Sequence, residues 1–324
     1  MSGIYRFALA SLVVTFHAGF RPLQLSIGVS AVVAFYILSG FAMTGLWDSH
    51  YKTRKKSFYF YLERFIRIFP QYYFWLLITL VLTFGLNWWF PGYEEKEISF
   101  KVLLNAFLLI PYALGIYLPE TIAWNPIGVT TSLANEEIFY LIAPLLFTLR
   151  KSFFAIAIAS FFFFFLSIFD IIAINVFSYF YFPGPMVFLF IGHLIYRRDS
   201  FQVSLYGLAI LSMICVSAIT GNISDGYNRE IFVGIILGTL APFLIGKKHE
   251  TQLSKILGNA SYGMFLGHTA VLIVLKQLNC FDDSKFLFGV TWYLVSIIAG
   301  WCSYMVIEKP TLMLRLHIRS RAIA

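Results

Sequence analysis

The sequence predicts an all-α polytopic membrane protein, and three observations support this fold class. Of the 324 residues, 59% are hydrophobic, 19% are aromatic and only 12% are charged. The mean hydropathy is +0.78, which is too apolar for a soluble domain. Apolar runs long enough to cross a bilayer recur along the whole chain. We therefore expect about ten transmembrane helices plus one re-entrant or interfacial segment, with both termini cytoplasmic.

The apolar runs give the approximate bounds of these spans. The ten predicted spans are Ile4 to Phe20, Ile27 to Trp47, Phe69 to Phe90, Ser132 to Thr148, Ser152 to Phe169, Phe182 to Tyr196, Phe201 to Thr220, Ile231 to Gly246, Ala260 to Leu278 and Phe286 to Ile307. An eleventh run, Phe100 to Leu118, is interrupted by Pro111 and Gly115 and is predicted to be re-entrant or interfacial. The five consecutive phenylalanines of Phe161 to Phe165 are expected to face lipid.

Loop charges set the predicted orientation, because cytoplasmic loops of membrane proteins are rich in Lys and Arg. The second connection is strongly basic, whereas Glu94, Glu95 and Glu97 outweigh Lys96 in the third. If Phe100 to Leu118 does not cross, all later basic clusters fall in the cytoplasm. These clusters are Arg150/Lys151, Arg197/Arg198, Lys247/Lys248 and the C-terminal Arg315, Arg319 and Arg321.

The domain assignment follows from the same pattern. Residues 1–310 are predicted to form a single transmembrane domain, and residues 311–324 a short basic cytoplasmic tail. The formal net charge of +8 then reflects the positive-inside bias, which favours anionic lipid headgroups and argues against nucleic acid as a partner. The three cysteines are scattered without metal-ligand spacing, so no metal site is predicted.

A basic pair in the first span is the first candidate for a functional site. Arg6 and His17 are eleven positions apart, which is roughly 16 Å along a helix and almost the same azimuth. Ionisable residues inside a span usually face the bundle interior and serve function. The alternative is an interfacial arginine that reaches lipid phosphates and a histidine that is satisfied by a core hydrogen bond.

An acidic pair enters the fourth predicted span from its outer end. Glu136 and Tyr140 are four positions apart and share a helix face, while Glu137 points about 100° away. Glu136 is expected at the depth of His17, where it can orient the imidazole or share a proton with it. Alternatively, both acids only stabilise the N-terminal turn of the helix.

Two further pairs complete the candidate residues. Arg64 and Arg67, three positions apart at the cytoplasmic mouth, suit phosphate groups such as those of coenzyme A, although they are also ordinary cytoplasmic anchors. Ser261 and His268 are two helical turns apart on one face of the ninth span. A lone histidine there would be a packed core residue, but a second histidine within the membrane favours a polar cavity.

Six motifs in collinear order resemble the membrane-bound acyltransferase family 3. This family comprises integral-membrane O-acyltransferases that modify bacterial surface polysaccharides and some antibiotics. The motifs are RFALASLVVTFH, FYILSGFAMT, RFIRIFPQYY, SLANEEIFYL, NASYGMFLGH and EKP, and they extend from Arg6 to Pro310. The resemblance implies a multi-pass protein of the bacterial cytoplasmic (inner) membrane that transfers an acyl group, most commonly acetyl.

The resemblance also implies residue roles. Arg6 and His17 match the family's paired arginine and histidine required for activity. Glu136 matches the acid of a Trp-Ser-Leu-x-x-Glu motif, and Arg64 and Arg67 match the inner-face arginines.

Three positions depart from the family pattern. Gly3 stands where an acidic or amide residue commonly precedes the arginine, Val33 where an aspartate is common, and Thr131 where the tryptophan is usual. These departures bear on the substrate more than on the reaction type.

The expected reaction is transfer from cytoplasmic acyl-CoA to a hydroxyl of a glycan or lipid-linked glycan, with acetyl-CoA as co-substrate and no bound cofactor. His17, oriented by Glu136, is expected to act as general base, and Arg64 and Arg67 to bind the donor phosphates. The candidates for oxyanion or acceptor contacts are Tyr140, Ser261, Tyr262 and His268. A covalent acyl-enzyme on His17 or on a serine stays open. The alternative function is a proton-coupled transporter or flippase of a glycan or lipid precursor.

Overall fold

The computed structural model describes residues 3–89, 99–119, 124–198, 200–244, 251–280 and 284–323. Within these ranges every regular element is a helix. A bilayer core offers no water to the backbone, and helices satisfy their own N–H and C=O groups. The protein is therefore a helical, multi-pass membrane protein. The loop acids Glu94, Glu95 and Glu97, and the basic pair Lys247/Lys248, lie outside the described residues.

Twelve α-helices lie in the described ranges. They are α1 Gly3–His17, α2 Ile27–Leu46, α3 Ser57–Leu80, α4 Phe100–Leu108, α5 Thr130–Thr148, α6 Arg150–Ile168, α7 Met186–Arg197, α8 Ser200–Thr220, α9 Asn228–Leu244, α10 Gln252–Gln277, α11 Lys285–Ser303 and α12 Lys309–Ile323. Three of them continue directly into wider π-helical turns, α2 at Trp47–Tyr51, α3 at Val81–Gly85 and α11 at Tyr304–Glu308.

Within the described residues, each of the ten predicted spans overlaps one of these helices. Five helical segments of the described chain are long and apolar enough to cross a membrane, namely Ile27–Tyr51, Ser57–Gly85, Gln202–Thr220, Gln252–Gln277 and Lys285–Ala322. Shorter apolar helices occupy Gly3–His17, Phe154–Ile168 and Met186–Arg197. The count of ten spans and the side of the termini stay predictions.

The interrupted run does not form one continuous helix. α4 ends at Leu108, Leu109 adopts φ +64°, and a 3₁₀ turn follows at Ile110–Leu114. The nine residues of α4 extend over roughly 14 Å, about half of the hydrocarbon core. α4 is therefore too short to cross by itself.

Short polar side chains define where three helices begin. Ser99, Thr251 and Ser284 precede α4, α10 and α11, and each accepts a hydrogen bond from a backbone N–H in the first turn. Such N-caps satisfy one of the otherwise unpaired donors of a helix. α3 has no such side-chain cap and begins at Ser57, twelve residues before the predicted apolar run. Its early start places Arg64 and Arg67 on this helix, whereas Lys52 and Arg54–Lys56 precede it.

α2 lies at the centre of the bundle and packs against α1, α7 and α9. Gly40 of α2 faces the Leu189 carbonyl of α7, and Gly192 of α7 faces the Ile37 carbonyl of α2. A Cβ on either glycine would collide with that backbone oxygen. Small residues of this kind let membrane helices approach closely. α10 packs in the same bundle against α1 and α11.

One expectation about the periphery needs correction. The predicted basic tail belongs, over residues 311–323, to α12, which packs against α3, and its place in the cytoplasm stays a prediction. In the phenylalanine run, Phe162 and Phe165 are exposed, but Phe164 is buried with its ring 5.5 Å from that of Phe188. Five consecutive helical positions, each turned by about 100°, cover every side of a helix, so they cannot all face lipid.

Candidate active site

A cavity of about 260 Å³ lies between α1, α2, α3, α5 and α10. Its wall is largely apolar, and the polar side chains that line it include Arg6, Ser39, Arg64, Arg67, Glu136, Tyr140, Ser261 and Tyr262. All of these except Ser39 were predicted as site residues. The fold thus brings three arginines and one carboxylate from distant parts of the chain into one cavity.

Two hydroxyl groups hold Glu136 in this cavity. Tyr140, one turn later on α5, and Ser39 of α2 both donate a hydrogen bond to Oε1 of Glu136. The hydroxyl oxygens of Ser39 and Tyr140 are 3.0 Å apart. The i, i+4 spacing predicts the tyrosine contact, whereas the sequence marks Ser39 only through its place in the FYILSGFAMT motif. Two donors to one oxygen fix the orientation of the carboxylate.

Arg64 contacts both Tyr140, the partner of Glu136, and a second acid, Glu63. Its Nη2 donates to Oε1 of Glu63 over 2.6 Å, and its Nη1 lies 3.5 Å from Sδ of Met43. Its guanidinium lies over the ring of Tyr140, 5.8 Å from the centroid. Arg64 is therefore held on two sides while it lines the cavity.

Arg67 lies one turn further along α3 and is held by different partners. Its Nη1 donates to Oε1 of Glu308, at the end of the π-helical turn after α11. Its guanidinium lies 4.8 Å from the ring centroid of Tyr262, whose hydroxyl donates to the Ile68 carbonyl over 3.3 Å. The predicted phosphate-binding pair is thus oriented by two separate acids.

Glu63 is the centre of a buried cluster that sequence reasoning missed. Its side chain is fully buried, and its Oε1 accepts from Arg64, from Arg315 over 3.5 Å and from Arg319 over 2.5 Å. Its Oε2 accepts from Tyr51 over 2.6 Å. One carboxylate therefore meets three guanidiniums, and the cluster keeps an excess of positive charge beside the cavity. The only sequence signal was an acid inside a basic segment.

Close packing of α1 on α10 places Arg6 at the cavity. Gly3 is buried, and a Cβ there would collide with the Ser254 carbonyl of α10. A Cβ on Gly258 would lie 3.1 Å from Nη2 of Arg6, so the guanidinium passes over this glycine. The absence of a side chain at Gly3, noted above as a departure, thus has a steric reason.

His17 is the last residue of α1, and local geometry determines this end. Gly19 has φ +88° and donates to the Phe16 carbonyl, while Phe20 donates to the Thr15 carbonyl over 3.0 Å. These two hydrogen bonds form a Schellman motif, which commonly terminates helices at a left-handed glycine. His17 therefore lies at the rim of the bundle, and it is exposed.

The partner of His17 is a histidine and not the predicted acid. Nδ1 of His17 lies 2.7 Å from Nε2 of His268, whereas Glu136 is held by Ser39 and Tyr140. Among the described residues, no hydrogen bond joins His17 to Glu136. Neither histidine lines the cavity. The expectation that Glu136 orients the imidazole is therefore corrected, because α1 packs against α10, whose His268 contacts His17.

Ser261 and His268 separate into two environments despite their common helix face. Ser261 lines the cavity and donates to the Gly258 carbonyl over 2.7 Å. His268 is 1% exposed and contacts α1 and α11. Ser261 at the cavity and His268 in the histidine pair are thus two turns apart on α10. Among the described residues no three His, Cys, Asp or Glu side chains converge on a possible metal position.

Comparison with known proteins adds one result. A family model described as an acyltransferase domain, that of acyltransferase family 3, matches residues 4–306. The match extends from the first turn of α1 to the π-helical turn after α11, so it includes the cavity and both paired histidines. No curated protein and no solved structure matches this chain.

Proposed function

This chain belongs to acyltransferase family 3, and from that premise we propose that it is an O-acyltransferase of the bacterial cytoplasmic (inner) membrane. It moves an acyl group, acetyl in the simplest case, from cytoplasmic acyl-CoA to a hydroxyl of a cell-surface glycan such as O-antigen or exopolysaccharide. The observation that supports this proposal most directly is the cavity in which Arg6, Arg64 and Arg67 meet Glu136.

The proposed orientation has ten spans and both termini in the cytoplasm. It rests on the basic inner loops and on the shortness of α4. In this orientation α3 enters the membrane from the cytoplasm, so Arg64 and Arg67 lie at the inner mouth of the cavity. α1 runs outward from Arg6 to His17. A donor from the cytoplasm and an acceptor from the outer face therefore approach opposite ends of one site.

The inner mouth suits the phosphates of a coenzyme A donor. Guanidinium groups bind phosphate oxygens through paired hydrogen bonds, and burial strengthens each of them. Arg64 and Arg67 are already oriented by Glu63 and Glu308, so less rotamer entropy is lost on binding. A cavity of about 260 Å³ is small for a whole coenzyme A. We therefore place the nucleotide at the mouth and the pantetheine arm in the cavity, with the thioester at the end of the arm that extends towards His17.

The transfer step begins when His17 removes the proton from the acceptor hydroxyl. The hydroxyl oxygen attacks the thioester carbonyl carbon, the C–S bond breaks, and the CoA thiolate leaves and takes up a proton. General bases commonly contribute about 10²–10⁴-fold to such rates. Negative charge develops on the carbonyl oxygen and requires a hydrogen-bond donor. The hydroxyls of Ser261 and Tyr262 serve as this donor once they turn away from the carbonyls of Gly258 and Ile68. The Tyr140 hydroxyl instead donates to Glu136 and orients that carboxylate.

The test measures free thiol release from acetyl-CoA by purified protein in proteoliposomes, with and without a lipid-linked glycan fraction. His17→Ala should abolish release, while His317→Ala, at an exposed position of α12, should leave it intact. Release that requires both His17 and the glycan supports the proposal. If folded protein releases no thiol but moves labelled glycan across the bilayer, the proposal is wrong and the transporter alternative replaces it.

A further inference from the structure

The hydrogen bond between His17 and His268 lies outside the cavity, and the transfer step described above gives no role to His268. Nδ1 of His17 and Nε2 of His268 are 2.7 Å apart, and the ring planes differ by only 15°. The ring centroids are 4.9 Å apart, which is about the N···N distance plus the two ring radii. The rings therefore lie edge to edge in nearly one plane, and the lone pair of one nitrogen points at the other.

The proton positions in this pair follow from a carbonyl group. Nδ1 of His268 lies 2.8 Å from the carbonyl oxygen of Phe265, three residues earlier on α10. A carbonyl oxygen only accepts, so Nδ1 of His268 carries the hydrogen. Nε2 of a neutral His268 then has a lone pair and only accepts. The hydrogen between the two rings must therefore belong to Nδ1 of His17.

Both rings are best treated as neutral. His268 is 1% exposed, and an unpaired charge there would lose its hydration. In the described part of the chain, neither imidazole is hydrogen-bonded to a carboxylate that could stabilise an imidazolium. Neutral His17 with its hydrogen on Nδ1 has a free lone pair on Nε2. That nitrogen belongs to the exposed imidazole, where a hydroxyl can reach it.

We propose that His268 is a positioning residue that fixes His17 in the Nδ1–H tautomer, so that Nε2 of His17 is the base that receives the acceptor proton. This inference rests on the proposed function and assigns the orienting role to His268. His268 does not touch the substrate, because its ring is enclosed by α1 and α11. Trp292 of α11 donates to the His268 carbonyl over 2.7 Å and anchors this part of α10.

The chain of hydrogen bonds from His17 through His268 to the Phe265 carbonyl explains why the orienting group is a histidine. The ring must accept at one nitrogen and donate at the other, and the donor end must reach a carbonyl on its own helix. A carboxylate could accept from His17 but has no hydrogen for Phe265, and a lysine could only donate. Imidazole meets both requirements without introducing a charge into the bundle.

The first test reads the tautomer directly and does not depend on activity. Full-length protein with ¹⁵N-labelled histidine, reconstituted in lipid, is compared with His17→Ala by NMR, and the difference spectrum identifies the His17 nitrogens. A protonated Nδ1 and a bare Nε2 are expected, although free histidine prefers the opposite tautomer. A bare Nδ1 and a protonated Nε2 in the wild-type protein would overturn the proposal.

The second test compares two substitutions of His268. His268→Gln keeps an acceptor near the position of Nε2, whereas His268→Leu fills similar space without one. His268→Leu should lower kcat about 10²-fold with little change in KM for acetyl-CoA, and His268→Gln should recover about tenfold of that loss. Equal kcat values for the two variants would overturn the proposal, provided that both fold as wild type by size-exclusion chromatography. If wild-type protein itself transfers no acyl group, the proposed function fails, and the NMR result still decides the tautomer.

Discussion

Replacement of Glu63 by glutamine tests how strongly the buried arginine cluster depends on one negative charge. Glutamine keeps the volume and can still accept from Tyr51, but it leaves three guanidiniums without their common carboxylate. The side chain of Glu63 is 0% exposed, and those of Arg64, Arg315 and Arg319 are 7%, 10% and 25% exposed. Removal of one partner from a buried ion pair typically costs about 3–5 kcal/mol, so Glu63→Gln should lower the free energy of unfolding by that amount.

A second ion pair with similar geometry provides the control. Asp48 and Arg197 are also 2.6 Å apart, but their side chains are 28% and 38% exposed. Exposed pairs are worth about 0–1 kcal/mol, so Asp48→Asn should have a small effect. The assay is thermal unfolding in detergent micelles, followed by tryptophan fluorescence. Equal melting temperatures for Glu63→Gln and Asp48→Asn would refute the reasoning.

Removal of one arginine should partly reverse the loss of stability caused by Glu63→Gln. In the Glu63→Gln background, Arg319→Gln removes one of the uncompensated charges and should raise the melting temperature. In the wild-type background the same substitution should lower it. The difference between the two backgrounds measures the coupling between the residues.

Three further predictions concern the cavity and the helix packing. Arg67→Lys keeps the charge but loses the guanidinium group that binds phosphate with two hydrogen bonds, so KM for acetyl-CoA should rise about tenfold with kcat little changed. An unchanged KM in initial-rate assays would contradict this. Tyr140→Phe keeps the ring but removes one donor to Glu136, which should cost about 1.5–3 kcal/mol in unfolding free energy; a melting temperature equal to that of wild type would argue against the contact. Gly40→Leu should abolish the monodisperse elution peak because its Cβ meets the α7 backbone, whereas Gly207→Leu, which meets open space, should not.

The sequence predicted the helices well because their signal is local. Apolar runs of sufficient length mark helices in a membrane protein, and the i, i+4 spacing of Glu136 and Tyr140 defines their contact without any tertiary information. The arginine pair on α3 also depends only on helical periodicity. These features could therefore be predicted before the fold was known.

The partners of the site residues could not be predicted because they come from distant parts of the chain. Ser39 lies 97 positions from Glu136, Arg319 lies 256 positions from Glu63, and His268 lies 251 positions from His17. Such contacts depend on which helices pack together, which periodicity does not specify. The contact between Glu136 and His17 was therefore predicted only from their similar depth in the membrane. Depth does not determine which way each helix turns its side chains.

The length of α1 affects the environment in which transfer takes place. Its fifteen residues extend over roughly 22 Å, whereas the hydrocarbon core of a bilayer is about 30 Å thick. In the proposed ten-span topology, a helix this short requires the surrounding lipid to become thinner or the helix ends to lie in water-filled recesses. Both arrangements would shorten the apolar layer between the proposed cytoplasmic thioester and the proposed extracellular hydroxyl. The Schellman turn that ends α1 at His17 would thereby reduce the distance that the proposed acyl transfer must cover across the apolar layer.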